Sequence, residues 1–310
     1  DSKFALGYNN RGLVYINEKQ FNKALKDFNR AIELDPTLSI AFNNRAIIYS
    51  VNWQFDKALK DYRKAVELNP KEFRAYYGMG IVYSIQGQND LSIQNLNKAI
   101  KINPNFVQSF YFRGIIYMRM NQPQKAVEDF TLVIKWNDQF MTVYYKRGNA
   151  YNAIKEYDLA IKDFTRAIEQ NPILFRAYYN RAIAYDNKKQ YDKALNDFNQ
   201  AIKLYPNYPQ AYFNRGRIYV KMKQYEQALE NYNQAIELKP NYYQAYNNRG
   251  STYFILEEYE KAISDYTQAL TIKSDYFRAY INRGKVYEKL GKQDLAKKAF
   301  DQAKKLSDKN

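Results

Sequence analysis

Asn247, Asn248 and Arg249 stand together between Tyr246 and Tyr253 in the stretch AYNNRGSTY. Two carboxamides and a guanidinium are the groups that recognise anions and peptide amides, because an amide both donates and accepts and a guanidinium donates in a fork. Kindred stretches recur as FNNRAIIY at 42–49, YYNRAIAY at 178–185 and YFNRGRIY at 212–219. Chemistry beyond recognition has little to work with. The chain has no histidine and no cysteine, which removes the commonest general base, the commonest metal ligands and the thiol nucleophile. No constellation of nucleophile, base or metal ligands is visible. The sequence therefore points to a non-catalytic protein with no cofactor and no metal.

The bulk numbers describe a foldable chain. Of 310 residues, 46% are apolar and 17% aromatic, including 32 tyrosines. No apolar run approaches the ~18 residues that cross a bilayer, so the expectation is a soluble, cytoplasmic protein without membrane insertion. The chain opens at Asp1 rather than methionine, which suggests processing or a piece of a longer protein. The net charge of +16, from 48 Lys+Arg against 32 Asp+Glu, favours acidic partners. Lysine on solvated helix faces is the plainer source of such a surplus than a dedicated nucleic-acid footprint.

The opening arginine has a period. It falls at Arg11, Arg45, Arg113, Arg147, Arg181, Arg215, Arg249 and Arg283, always 34 residues or twice 34 apart, with Met79 filling the gap. A tyrosine follows four residues later every time, from Tyr15 and Tyr49 through to Tyr253 and Tyr287. The chain is thus read as one array of nine repeats: 5–38, 39–72, 73–106, 107–140, 141–174, 175–208, 209–242, 243–276 and 277–310.

Numbered from 1 at Ala5, each repeat carries an aromatic at position 4 (Tyr8, Phe42, Tyr76) and a small residue at 8 (Gly12, Ala46, Gly80). Position 20 is alanine except Ser92, position 24 is aromatic except Leu96, and position 27 is alanine except Val133. Proline stands at position 32 in six repeats, Pro36 among them. This pattern resembles the tetratricopeptide repeat, across essentially the whole chain. It departs at position 7, where the family usually has leucine. The resemblance implies an all-α fold, a right-handed superhelical α-solenoid of antiparallel helix pairs with a concave inner groove.

Helical spacing supports the same architecture independently. Positions 4, 8 and 11 share one helix face, and 20, 24 and 27 share another. A single repeat cannot bury both faces, so stacking is obligatory. Asp or Glu at position 18, as in Asp56 and Asp158, is expected to favour the start of the second helix, with Asp the better cap. Pairing the helices antiparallel sets Arg at 7 near Asp at 23, as in Asp27, Asp61 and Asp265. Repeat 3 lacks both partners (Met79, Asn95), so the arginine reads as an intra-repeat strut.

By the resemblance, positions 2, 5, 6, 9, 12 and 13 line the groove. Position 5 is aromatic in repeats 3 to 7: Tyr77, Tyr111, Tyr145, Tyr179 and Phe213. Position 9 reads Leu13, Ile47, Ile81 and Ile115 in repeats 1 to 4, so with Ile85, Phe112 and Met118 the groove is apolar toward the N-terminal half, and an exposed apolar stripe is usually a binding surface. Packing against neighbouring helices is the plainer alternative. Asn149, Asn180, Asn214, Asn248, Arg217 and Lys221 make the other half polar and basic. The two asparagines of NNRG, at 5 and 6, are read as facing the groove. The family's chaperone-docking clamp would need cations where Tyr145, Gln210 and Asn214 stand, so that clamp looks absent.

Three functions follow. The first is a non-catalytic protein–protein interaction scaffold whose groove binds a peptide with apolar anchors and acidic residues. On that reading, alanine at Tyr111, Tyr145 and Tyr179 weakens binding without melting the array. The second is nucleic-acid or anionic-surface binding through the basic C-terminal half, with tyrosines stacking on bases. The third is a structural module of a large assembly. Lys297 and Lys304 replace apolar residues at positions 21 and 28 of the last repeat, which reads as an end cap. The apolar Leu6 and Val14 at the other end suggest missing N-terminal sequence, a partner or self-association.

Overall fold

The structure, a computed structural model, describes residues 2–308. Asp1 and positions 309–310, the last two of the ninth repeat, lie outside the described residues. Among those described there are eighteen α-helices. The chain divides into two compact units, Asp1–Lys155 and Glu156–Asn310. The first holds α1 (Ser2–Asn17), α2 (Phe21–Leu34), α3 (Ser39–Val51), α4 (Phe55–Leu68), α5 (Phe73–Ile85), α6 (Asn89–Ile102), α7 (Val107–Arg119), α8 (Pro123–Trp136) and α9 (Met141–Ala153). The second holds α10 (Tyr157–Gln170), α11 (Phe175–Asn187), α12 (Tyr191–Leu204), α13 (Pro209–Lys221), α14 (Tyr225–Leu238), α15 (Tyr243–Ile255), α16 (Tyr259–Ile272), α17 (Phe277–Lys289) and α18 (Gln293–Ser307).

The turn inside each repeat explains why two helices form rather than one. The residue at position 15 has positive φ in every repeat, yet only Gly87 and Gly291 are glycines; the others include Lys19, Trp53 and Glu257. The next amide donates back across the turn, as Gln20 N–H does to the Tyr15 carbonyl at 2.8 Å, while Lys19 N–H reaches Ile16. This double closure satisfies the carbonyls at the helix end. The second helix then begins at position 17, so the acid at 18 lies in its first turn. No side chain caps these N-termini. Asp56 and Asp158 therefore act on the helix dipole rather than as caps. The second helix ends at position 30, and proline follows its end, as Pro36 follows Leu34.

Small residues set the spacing within a hairpin. A Cβ on Gly114 would lie 2.7 Å from the ring of Phe130, and one on Gly12 would lie 2.6 Å from Phe28. The rings and the alanines at 20 and 27 are sealed from solvent, as with Ala126, Phe130 and Val133. Successive first helices touch through the first unit, from α1 and α3 to α7 and α9, and in the second unit at α13 and α15 and at α15 and α17, while second helices lie further apart. The first helices therefore line the tighter, inner side of each stack.

Position 7 works as a strut in two directions. Arg45 grips Asp61 in its own hairpin through Nε at 2.6 Å and a terminal nitrogen at 2.8 Å. Arg11–Asp27, Arg113–Asp129, Arg181–Asp197 and Arg249–Asp265 repeat this fork. The remaining terminal nitrogen reaches back to position 25 of the preceding repeat. Arg45 meets Asn29 at 2.8 Å, Arg113 meets Asn97 at 2.6 Å and Arg249 meets Asn233 at 2.6 Å. The guanidinium also sits beside the aromatics at 4 and 11, for Arg45 at 5.5 Å from Phe42 and 5.8 Å from Tyr49. Burial pushes the Asp129 and Asp265 carboxyls up from their ordinary range, and their arginines pull them back.

Candidate functional site

The inner faces of the first helices carry the candidate recognition surface, and its residues do not all face outward. Asn9 and Asn43 at position 5 are only 1% exposed, and Asn44 and Asn247 are 5% exposed. They form an amide relay between repeats. Asn44 donates to the Asn9 side-chain oxygen at 2.9 Å, and Asn282 donates to that of Asn247 at 3.1 Å. Where position 5 is tyrosine, the relay continues through its hydroxyl: Asn214 donates to Tyr179 at 2.8 Å. Asn247 thus belongs to the repeat interface rather than to an open groove, because a buried amide is held by bonding its own neighbours. Asn248 is half-buried.

The aromatics at position 5 also pack inward. Tyr179 sits 4.9 Å from the Tyr208 ring and 5.8 Å from Phe198. Tyr111 meets Phe112 at 5.4 Å and Phe140 at 5.4 Å, and Phe213 meets Tyr242 at 5.0 Å. Tyr111, Ile115 and Met118 lie against the buried cluster around Phe110 and Phe130. Tyr145, Asn149 and Asn180 are half-buried on α9 and α11.

Two clefts nevertheless open on the inner faces, one in each unit. In the first, a hollow of about 370 Å³ is lined by Ile47, Ser50 and Val51 of α3, Tyr62 of α4, Arg74, Tyr77, Gly78 and Ile81 of α5, with Phe106 and Phe112. It brings together Tyr77, Ile81 and Phe112 from the sequence-predicted set. In the second unit a hollow of about 260 Å³ is lined by Arg217, Val220, Lys221, Tyr232, Asn248, Ser251, Thr252 and Ile255. There Lys221 is paired with Asp186, and Arg217 donates to Asn214 at 3.0 Å. A third hollow, of about 480 Å³ in the first unit, sets Tyr111 and Phe112 beside Trp136 and Phe140.

Tyr62, Arg74, Gly78, Trp136 and Phe140 were not singled out from sequence. Gly78 carried a signal: it is the only glycine at position 6 among nine repeats.

Burial holds several phenols protonated. Tyr62, Tyr77, Tyr242 and Tyr266 are pushed up to about 12. An unfolded tyrosine ionises near 10, so the folded state keeps its protons over the interval between. The resulting stability is whole below pH ~10 and is lost as pH rises from ~10 to ~12. Urea midpoints should therefore hold steady to pH ~9.5 and fall steeply above pH ~10.5. A midpoint unchanged at pH ~11.5 would contradict this.

A chain of short antiparallel hairpins in 34-residue register belongs among the helical repeat proteins. The tetratricopeptide repeat profile matches residues 5–38, 73–106, 142–173 and 175–208, with variants at 107–140, 198–230 and 277–310. A further TPR repeat profile matches 54–87, 216–255 and 250–291. The chain is a member of the tetratricopeptide repeat family. Among solved structures it is similar to YrrB, described as a TPR protein with an unusual peptide-binding site, at 27% identity over 59% of this chain and 95% of that one (TM-score 0.57). It is similar to MamA at 27% identity, over 52% and 95% (TM-score 0.51). A tetratricopeptide repeat protein from Parabacteroides merdae shares the fold at 17% identity, over 81% and 99% (TM-score 0.54). No curated protein matches the chain. No helix of the described residues is long and apolar enough to cross a membrane.

Proposed function

We propose that the protein is a non-catalytic interaction scaffold whose first-helix faces hold an extended segment of a partner protein. The observation that carries this reading is the apolar hollow of the first unit. Ile47 and Val51 stay 38% and 52% exposed there, although the same helix, α3, buries Ala41, Ala46 and Ile48. Apolar side chains left open in a concave site are the usual signature of a recognition surface. The peptide-binding site ascribed to YrrB supports the same class of activity.

The absence of cysteine offers a direct test. Single substitutions Ile81→Cys, Ser251→Cys, Lys26→Cys and Gln268→Cys, each carrying a photo-cross-linker, are challenged with peptides selected from a displayed random library. Cross-links are expected from positions 81 or 251 on first helices, and not from 26 or 268 on second helices. Cross-linking confined to the second helices would refute the reading. Failure to select any peptide, with salt-sensitive binding of single-stranded DNA instead, would favour the nucleic-acid alternative.

A further inference from the structure

The hollow at Gly78 is a local exception to the pattern at position 6. In repeats 2, 7 and 9 the asparagine at position 6 reaches back to the preceding repeat: Asn44 to Asn9, Asn214 to Tyr179 and Asn282 to Asn247. Glycine at 78 removes that reach. The Asn43 side-chain oxygen, which such an amide would answer, is buried and has no hydrogen-bond partner among the described residues.

Tyr62 marks the same exception from the other side. Position 24 is usually phenylalanine, and its ring lies over a glycine at position 8. In repeat 2 position 8 is Ala46, and the Tyr62 ring lies against Gly78, where a Cβ would come within 2.3 Å of Cζ. Among the described residues its hydroxyl meets only the Ser50 hydroxyl, at 3.5 Å. Tyr232 in the second unit is the internal control, since there position 6 keeps its amide and Asn248 lines the same hollow as the Tyr232 ring. The Tyr62 hydroxyl is buried, protonated and poorly answered, and it lines an apolar hollow.

One charge completes the site. Arg74 stacks on Phe73 at 4.6 Å and meets no carboxylate among the described residues. No acid lines the hollow. A volume of about 370 Å³ takes one large side chain with part of its backbone.

We infer that this hollow is a side-chain pocket for an extended peptide bearing a bulky apolar residue with an aspartate or glutamate within two residues of it. The apolar side chain fills the space between Ile47, Ile81 and Phe112, and the carboxylate pairs with Arg74. The Tyr62 hydroxyl donates to a peptide carbonyl. This deepens the scaffold reading and rests on it.

The test uses the full chain and library-selected peptides that cross-link at Ile81→Cys, with affinities read by fluorescence anisotropy. Those peptides should share the apolar–acidic pair. Arg74→Glu should weaken them at least ~10-fold by reversing the charge. Tyr62→Phe, which preserves the ring, should weaken them ~5-fold. Gly78→Asn should close the hollow, and Lys26→Glu on the outer face serves as control, with binding held within ~2-fold. The ring contact at Gly78 makes that variant prone to misfold, so Arg74→Glu and Tyr62→Phe decide the matter. Peptides without the pair, or affinities unmoved by both variants, would overturn the inference. Cross-links from position 251 alone would overturn it while leaving the scaffold reading intact. Cross-links from neither inner position would remove both.

Discussion

Asp129→Ala is expected to cost about 3 kcal/mol of folding stability, and Asp129→Asn only about 1 kcal/mol. The difference comes from what each leaves behind. Asp129 is 2% exposed and takes both fork nitrogens of Arg113, at 2.9 and 2.6 Å. Alanine strands a largely buried guanidinium, which keeps only Asn97 as a side-chain hydrogen-bond acceptor. Asparagine keeps one acceptor, and repeat 7 already runs on that arrangement: Arg215 Nε meets the Asn231 oxygen at 2.7 Å. That exchange has a cost, since burial lowers the Arg215 pKa where no carboxylate opposes it. Urea denaturation of the two variants and of Asp129→Ala/Arg113→Met decides the point. The double variant should recover part of the loss, because repeat 3 tolerates Met79 at the same position, 4% exposed and packed in the core. Equal losses for alanine and asparagine would exclude the bridge as the cause.

Tyr179→Ala should destabilise the second unit by about 3–4 kcal/mol. From sequence alone the position-5 tyrosines looked removable at no cost to the fold. In the structure Tyr179 packs on Phe198 and Tyr208, and its hydroxyl accepts from Asn214. Alanine leaves a cavity and an orphaned amide together. Tyr179→Phe separates the two, and should cost about 1 kcal/mol for the lost hydrogen bond. Thermal melts with far-UV circular dichroism read both. A Tyr179→Ala protein as stable as the parent would mean that the ring is mainly a surface group. Loss of partner binding in such an alanine variant is thus no evidence of contact with the partner.

The fold was legible because its rules repeat. Position 8 is small in all nine repeats, and alanine at 20 and 27 and an aromatic at 24 each hold in eight of the nine, so a lapse such as Ser92 is outvoted. Ser92 makes its own arrangement, its hydroxyl donating to the Gly80 carbonyl at 2.6 Å. The Arg–Asp strut was legible for the same reason, since repeat 3 loses both partners together. The turn at position 15 was not. Seven of nine residues there are not glycine, and lysine, tryptophan or glutamate at positive φ carries no local signature. Neither was the inward direction of Asn43 and Asn247. Helical spacing assigns a residue to a face, but the next repeat decides whether that face is covered. Gly78 is the reverse case. A single glycine reads as noise in a repeat, and only the position of Tyr62 turns it into an opening.

The backward reach of each arginine has a bearing on how such an array grows by duplication. Most repeats bring a plug for their predecessor, the guanidinium at position 7, and a socket for their successor, the Asn or Thr at 25. A 34-residue block copied or lost anywhere in that series therefore leaves matched neighbours. Repeats 2 and 3 break the series: position 25 is Arg63 and position 7 is Met79, and Arg63 reaches forward to the Tyr83 hydroxyl at 3.0 Å instead. Inserting an ordinary repeat at this seam would set its own arginine against Arg63, two cations at one junction. The two repeats therefore fit each other rather than an ordinary neighbour, and together they supply most of the wall of the Gly78 hollow.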